Sequence, residues 1–170
     1  MARNVEIKTR IASVDALLPR AHALADGDAQ RIDQDDTFFR VPHGRLKLRE
    51  FADGSAELIH YRRPDTEGAR LSDYVRAPVP QPAALREALQ RALGTIGRVR
   101  KQRLLLLAGA TRIHLDRVAG LGEFLELEVV LRDGQSEHDG VSIAERLMRE
   151  LGLASTPRIA GAYLDLLAAA

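Results

Sequence analysis

Polar and apolar residues take turns through much of the chain. From Asn4 to Lys8, Val5 and Ile7 fall on one side and Asn4, Glu6 and Lys8 on the other, which predicts a strand. Ser13 then reads as the N-cap of a helix that begins Val14-Asp15-Ala16-Leu17-Leu18 and runs to about Ala25, with Pro19 inside it. Ala25-Asp26-Gly27-Asp28 breaks that helix. Strand patterns follow over Asp36 to Val41, Gly44 to Glu50, Ala56 to Arg63 and Arg70 to Ala77, with Pro64 to Gly68 as a loop. Pro78, Pro80 and Pro82 mark a turn, and Pro82 opens a helix over Ala83 to Leu93. Three more strands are predicted over Thr95 to Leu107, Thr111 to Val118 and Glu123 to Arg132, the last after the turn Ala119-Gly120-Leu121-Gly122. Ser142, with Glu145 three residues on, predicts the start of a helix to about Leu151, and a last helix is predicted over Ile159 to Ala168. Strands that follow one another through short turns favour an α+β fold, an antiparallel sheet or barrel with helices outside, over a parallel βαβ arrangement.

Five of these segments carry charge on one face only. Arg45, Lys47 and Arg49 oppose Leu46 and Leu48, Lys101 and Arg103 share a face, and Arg112, His114 and Asp116 oppose Ile113 and Leu115. Glu126 and Glu128, with Phe124, oppose Leu125, Leu127 and Val129. An ordinary solvated sheet face mixes signs along each strand. Here one strand offers only Arg and Lys and another only Glu, which suggests a site with an acidic wall and a basic wall. Carboxylates hold a divalent cation, and guanidinium and ammonium groups hold phosphates.

Composition narrows the classes. With 25 Lys+Arg against 24 Asp+Glu the net charge is +1, too balanced for a general nucleic-acid coat. The 170 residues suit one domain over 1–170. Cysteine is absent, which removes disulfides, thiolate metal sites and Cys nucleophiles. Leu104 to Ala110 is too short to span a bilayer, and the first ten residues have no apolar leader core, so the default expectation is a cytoplasmic protein without a membrane partner. No GxxxxGK[ST] or GxGxxG run is present, and the histidines form no HExxH. His114, beside Asp116 on its charged face, is open to a site role or a packing role. Asp35-Asp36 is open to metal binding but reads first as a turn or strand end, and Ser13 and Ser142 read as caps.

The same residues resemble a known family. Asn4-x-Glu6-x-Lys8 is similar to the N-terminal ExExK signature of the CYTH superfamily, which contains class IV adenylyl cyclases and thiamine triphosphatases. Gly44-Arg45-Leu46-Lys47-Leu48-Arg49 looks like its basic second element. Tyr61-Arg62-Arg63-Pro64, Lys101-Gln102-Arg103 and Arg112-Ile113-His114-Leu115-Asp116 follow in order. Gly120-Leu121-Gly122-Glu123-Phe124-Leu125-Glu126-Leu127-Glu128 resembles the GLGxFxExE segment, and class IV adenylyl cyclases are the branch most resembled.

The resemblance implies a closed antiparallel eight-stranded β-barrel, the triphosphate tunnel fold, with a charged lumen and helices packed outside. It implies a Mg²⁺- or Mn²⁺-dependent enzyme whose partner is a nucleoside triphosphate or inorganic triphosphate, and a homodimer. Glu6, Asp116, Glu126 and Glu128 match acidic positions and would hold metal. Lys8, Lys47, Arg49, Arg62, Arg76, Lys101, Arg103 and Arg112 match basic positions and would grip phosphates. Lys8, Glu6, Asp116 and Glu126 would form the catalytic set. The expected reaction is conversion of ATP to cyclic AMP and pyrophosphate; triphosphate hydrolysis and catalysis-free binding are the alternatives. One residue departs from the signature: Asn4 stands where its first acid belongs, so one ligand carbonyl replaces a carboxylate.

Overall fold

Strand pairing, more than any single stretch of sequence, fixes where the elements begin and end. A computed structural model describes residues 2–62 and 69–170. Among them are eight strands: β1 (Ala2–Arg10), β2 (Gln30–Phe39), β3 (Arg45–Phe51), β4 (Ala56–Arg62), β5 (Arg70–Pro78), β6 (Thr95–Ala108), β7 (Thr111–Val118) and β8 (Gly122–Val130). The four described helices are α1 (Val14–Leu24), α2 (Pro82–Leu93), α3 (Glu137–Glu150) and α4 (Tyr163–Ala168). The strands close into a barrel in the order β1-β5-β4-β3-β2-β6-β7-β8, with β8 returning to β1 and every pair antiparallel. Closure removes the sheet edges. No described helix is long and apolar enough to cross a membrane.

The main apolar core lies outside the barrel wall. Val5 and Ile7 of β1, Ile113 and Leu115 of β7, and Leu125, Leu127 and Val129 of β8 point outward and are fully buried under α1 and α3. Val14, Leu17 and Ala21 of α1 and Ala144, Leu147 and Met148 of α3 cover them. Each such Leu, Ile or Val contributes about 1.5–3 kcal/mol on burial. Because strand side chains alternate, burying one face outward turns the opposite, charged face into the lumen.

Several boundaries differ from those the sequence predicts. β2 starts at Gln30, not Asp36, because the polar run Gln30 to Asp36 is ordered by its ladder with the long β6, from Gln30↔Leu105 onward. Asp35 and Asp36 are therefore mid-strand, not turn residues. The capping box of α3 is Ser136 with Asp139, not Ser142 with Glu145. The earlier start puts Gly140, Ala144, Leu147 and Met148 on one buried stripe. A β-carbon at Gly140 would lie 2.7 Å from both Val5 and Leu131, so glycine permits α3 to sit this close to β1. The last helix spans only Tyr163–Ala168. The segment before it runs across one end of the barrel, held by a hydrogen bond from Ile159 N to Lys8 O at 2.9 Å and a β-bridge between Thr9 and Arg158. The predicted loop Pro64 to Gly68, with Arg63, lies outside the described residues.

Candidate active site in the barrel lumen

Alternate residues of all eight strands line a lumen cavity of about 390 Å³. β1 contributes Asn4, Glu6 and Lys8; β2 Ile32, Gln34, Asp36 and Phe38; β3 Lys47 and Arg49; β6 Val99, Lys101 and Arg103. β7 adds Arg112 and His114, and β8 adds Glu126 and Glu128. Tyr163 of α4 closes one end, where its ring lies 4.2 Å from Lys8 Nζ and 5.0 Å from Lys101 Nζ.

The basic wall is built around a carboxylate. Asp36 accepts hydrogen bonds from Lys47 Nζ at 2.8 Å and from Arg49 Nε and a terminal Arg49 nitrogen at 2.7 Å each. Burial alone pushes the Asp36 carboxyl up, but Arg49 and Lys47 outweigh it and hold the group well below the usual carboxylate range. Lys47 is pulled the other way: burial and the neighbouring Arg49 charge bring its ammonium down to about 8, against the opposing pull of Asp36. Lys101 is also held well below an ordinary lysine, by burial and by Arg103.

Deeper in the barrel, Asp116 is fully buried and accepts two hydrogen bonds from Arg103, at 2.7 and 2.6 Å, and one from the Tyr163 hydroxyl at 2.8 Å. Burial would raise its carboxyl; Arg103 and Lys101 reverse that and keep it ionised. Burial, together with Asp116 and Glu126, pushes the Tyr163 phenol well above its ordinary value, so it remains a neutral donor.

The acidic wall rises from β7 and β8. The ligating atoms of His114, Glu126 and Glu128 all lie within 4.8 Å of one another. His114 Nδ1 is 3.6 Å from Glu126 Oε1 and 3.9 Å from Glu128 Oε1. Glu126 also pairs with Lys8 at 3.3 Å and Arg103 at 3.4 Å, and Glu128 with Arg112 at 3.3 Å. Burial opposes ionisation of Glu126, yet the Lys8 charge and the His114 and Arg103 contacts hold its carboxyl well below the usual range. Across the β1–β8 ladder Glu6 stands directly opposite Glu128. Like charges in that relation are destabilising unless a cation lies near them. His114 Nδ1 and Asn4 Oδ1 are buried polar atoms without a hydrogen-bond partner among the described residues. An imidazole nitrogen and two carboxylates form a donor set that fits a divalent cation.

The structure thus brings Lys8, Lys47, Arg49, Arg76, Lys101, Arg103, Arg112, Glu6, Glu126 and Glu128 to one cavity. It does not bring Arg62 there. Tyr61 points inward, so its neighbour Arg62 points outward and is exposed. Asp116 shares the inward face of β7 with His114 but does not line the cavity: Arg103 and Tyr163 engage it, and the same Arg103 nitrogen reaches Glu126 at 3.4 Å. Asp36 and Tyr163 were not anticipated as lumen residues.

A second hollow, of about 700 Å³, adjoins the lumen, sharing Gln34, Phe51 and Lys101 with it, and includes Asp35, Glu50, Arg86, Arg98 and Arg117. Its charges are paired locally, Arg98 with Asp35, Arg86 with Glu50 and Arg117 with Asp15. The buried, strongly shifted ionisable groups lie in the lumen, and the candidate site is placed there.

The sequence matches the CYTH domain over residues 2–163. The chain belongs to the CYTH domain family. The CYTH barrel superposes on the PH1012 protein of Pyrococcus horikoshii with a TM-score of 0.84 at 22% identity, covering 96% of this chain and 99% of that one. A candidate adenylate cyclase from Vibrio parahaemolyticus gives a TM-score of 0.80 at 19% identity, with 97% of each chain covered. HpAC1 from Hippeastrum, a candidate adenylyl cyclase with a dominant triphosphatase activity, gives 0.71 at 16% identity, covering 98% of this chain and 95% of that one. At these identities the likeness carries the CYTH fold and not a particular reaction. No curated protein matches the sequence.

Proposed function

We propose that this CYTH protein, as a single triphosphate tunnel domain over residues 1–170, is a divalent-metal-dependent enzyme that cleaves a triphosphate chain inside the barrel. The observation that supports this most directly is the meeting of a basic wall, Lys47, Arg49, Lys101 and Arg103, with the His114, Glu126 and Glu128 group in one buried cavity. Mg²⁺ or Mn²⁺ bound by Glu126 and Glu128, with Glu6 nearby, would supply Lewis-acid polarisation of a phosphoryl oxygen. Lys47, Arg49, Lys101, Arg103 and Arg112 bind the phosphate oxygens and stabilise charge that develops on the leaving group. Asp36 orients Lys47 and Arg49, and Asp116 orients Arg103, so these donors are held in place before substrate arrives. Lys8, set between Glu126 and the Tyr163 ring, offers its ammonium to a phosphate at the closed end.

Adenylyl cyclisation is the specific reaction that the likeness to class IV cyclases favours. It requires a nucleoside beyond the phosphates with its 3′-hydroxyl in line with the α-phosphorus. Ile32, Phe51 and Leu105 add apolar surface to the lining, against which a nucleobase can lie. Hydrolysis needs only water at a terminal phosphorus, and the Hippeastrum relative makes it the second reading.

A product assay separates them. Purified protein is incubated with ATP or inorganic tripolyphosphate and Mg²⁺ or Mn²⁺. Cyclic AMP with pyrophosphate is the expected result; orthophosphate without cyclic AMP assigns hydrolysis. Tripolyphosphate bound but never turned over makes the protein a sensor. Failure to bind either compound overturns the proposal. Arg112→Ala, at a partly exposed pair with Glu128, is expected to lower turnover strongly while leaving the barrel folded.

A further inference from the structure

We propose that His114 is a direct metal ligand, so that the lumen site has a mixed nitrogen and oxygen donor set and prefers Mn²⁺, Co²⁺ or Zn²⁺ to Mg²⁺ or Ca²⁺. The inference rests on the reading of the lumen as a metal-dependent triphosphate site, and concerns which atoms hold the metal there. Three observations carry it. First, the His114 side chain is only 4% exposed, and its Nδ1, turned toward Glu126 and Glu128, has no hydrogen-bond partner among the described residues. A buried imidazole nitrogen left this way calls for a ligand. Second, Nδ1 stands 3.6 and 3.9 Å from the two nearest carboxylate oxygens. Both spacings are below the roughly 4.2 Å that is the greatest possible separation of two donors on one ion with bonds near 2.1 Å. Third, the signature position Asn4 offers a neutral carbonyl oxygen in place of a carboxylate and Asp116 is engaged by Arg103 and Tyr163, so the site has fewer free carboxylates than an all-carboxylate site would use.

The consequence is a matter of ligand chemistry. Mg²⁺ keeps oxygen ligands and water, whereas imidazole strengthens binding along the series Mn²⁺, Co²⁺ and onward. His114 lies opposite Glu126 in the β7–β8 register, so the nitrogen is placed by the strand pairing and not by a mobile loop.

Metal binding is measured directly, without substrate, by calorimetric titration of Mg²⁺ and Co²⁺ into the unsubstituted protein and into His114→Gln. The unsubstituted protein is expected to bind Co²⁺ at least about tenfold more tightly than Mg²⁺. His114→Gln is expected to lose about tenfold or more in Co²⁺ affinity while Mg²⁺ affinity changes much less, so that the preference collapses. Should the variant fail to fold, the unsubstituted protein still decides the matter. Co²⁺ bound through His114 gives the outer-shell imidazole scattering in the cobalt X-ray absorption spectrum, whereas Co²⁺ held by oxygen alone does not. Equal Co²⁺ affinity in both proteins, or a spectrum without imidazole scattering, overturns the assignment of His114 and leaves the metal-dependent triphosphate reading intact. Binding of neither Mg²⁺ nor Co²⁺ overturns both.

Discussion

Arg103 reaches Asp116 with two parallel hydrogen bonds, from Nε to Oδ1 at 2.7 Å and from a terminal nitrogen to Oδ2 at 2.6 Å, at a place where Asp116 has no exposure to solvent. The pair joins β6 to β7, whose ladder sets the two residues opposite each other. A buried ion pair is expensive to desolvate, and removing one partner leaves the other charge buried and uncompensated. Asp116→Asn is therefore expected to cost about 3–5 kcal/mol of stability, measured by urea unfolding. Tyr163 loses its charged acceptor in the same variant. A cost below about 1 kcal/mol, the size of an exposed pair, contradicts this account.

Lys47 gives the binding site a pH dependence. Burial and Arg49 bring its ammonium down to about 8 in the free protein. A bound triphosphate adds negative charge beside it and favours the protonated form. Affinity is therefore highest below about 8 and falls as pH rises from there toward the ordinary lysine value, by at most about tenfold per pH unit for each lysine involved. Lys101, lowered in the same direction, adds to the effect. Tripolyphosphate titrations at about pH 8.5, in buffers of different ionisation enthalpy, are expected to show net proton uptake that shrinks in Lys47→Met. Uptake of no protons at that pH removes the role given to Lys47.

The charged lumen was legible because it follows a period of two. Lys47 and Arg49 alternate with Leu46 and Leu48, and Glu126 and Glu128 with Leu125, Leu127 and Val129, and the core's need for those apolar residues sends the charges inward; Lys101 and Arg103 share a face but flank Gln102, so only their spacing shows it. Asp36 was hidden because its inward neighbours on β2 are Ile32, Gln34 and Phe38, a mixture without a clean alternation. Its strand is ordered by β6, some sixty residues away in sequence. Arg62 shows the cost of a one-residue error, since neighbours on a strand face opposite ways. Ser136 and Ser142 both carry an acid three residues on, so local sequence could not choose between them; the packing of Gly140 against Val5 did. Tyr163 enters the lumen from the far end of the chain, where no periodicity announces it.

The ionised carboxylates of the lumen also set the acid stability. Asp36, Asp116 and Glu126 all hold their protons less tightly in the folded protein than ordinary carboxylates, because their cationic partners outweigh burial. The unfolded chain takes up protons near pH 4, before the folded one does. These groups therefore contribute stability that is complete above about pH 5 and is lost as pH falls through 4 toward their folded values. The slope is expected to reach about 1.4 kcal/mol per pH unit for each group. Denaturant midpoints between about pH 6 and 3 are expected to fall steeply, and less steeply by one group in Asp36→Asn. A flat profile over that range sinks the prediction.

The closed end of the barrel depends on Asp165. Its Oδ2 accepts the Ala162 N–H at 2.7 Å, and the carboxylate accepts hydrogen bonds from Arg45 at 2.8 and 2.7 Å. These contacts tie the start of α4 to β3, while Ile159 N, bonded to Lys8 O, ties the preceding segment to β1. Between them the chain carries Tyr163 to Lys8, Lys101 and Asp116. Asp165→Ala removes a cap acceptor and a partly exposed ion pair at once, a loss of about 1–2 kcal/mol. Because α4 has only six residues, the loss is expected to appear as local opening and not as global unfolding. Hydrogen exchange at Ile159 and Ala162 is expected to quicken about tenfold or more, with the amides of β7 and β8 unchanged. Equal acceleration across the whole barrel would mean that the segment unfolds only with the rest of the protein. Unchanged exchange at Ile159 would mean that its bond to Lys8 holds the closed end without Asp165.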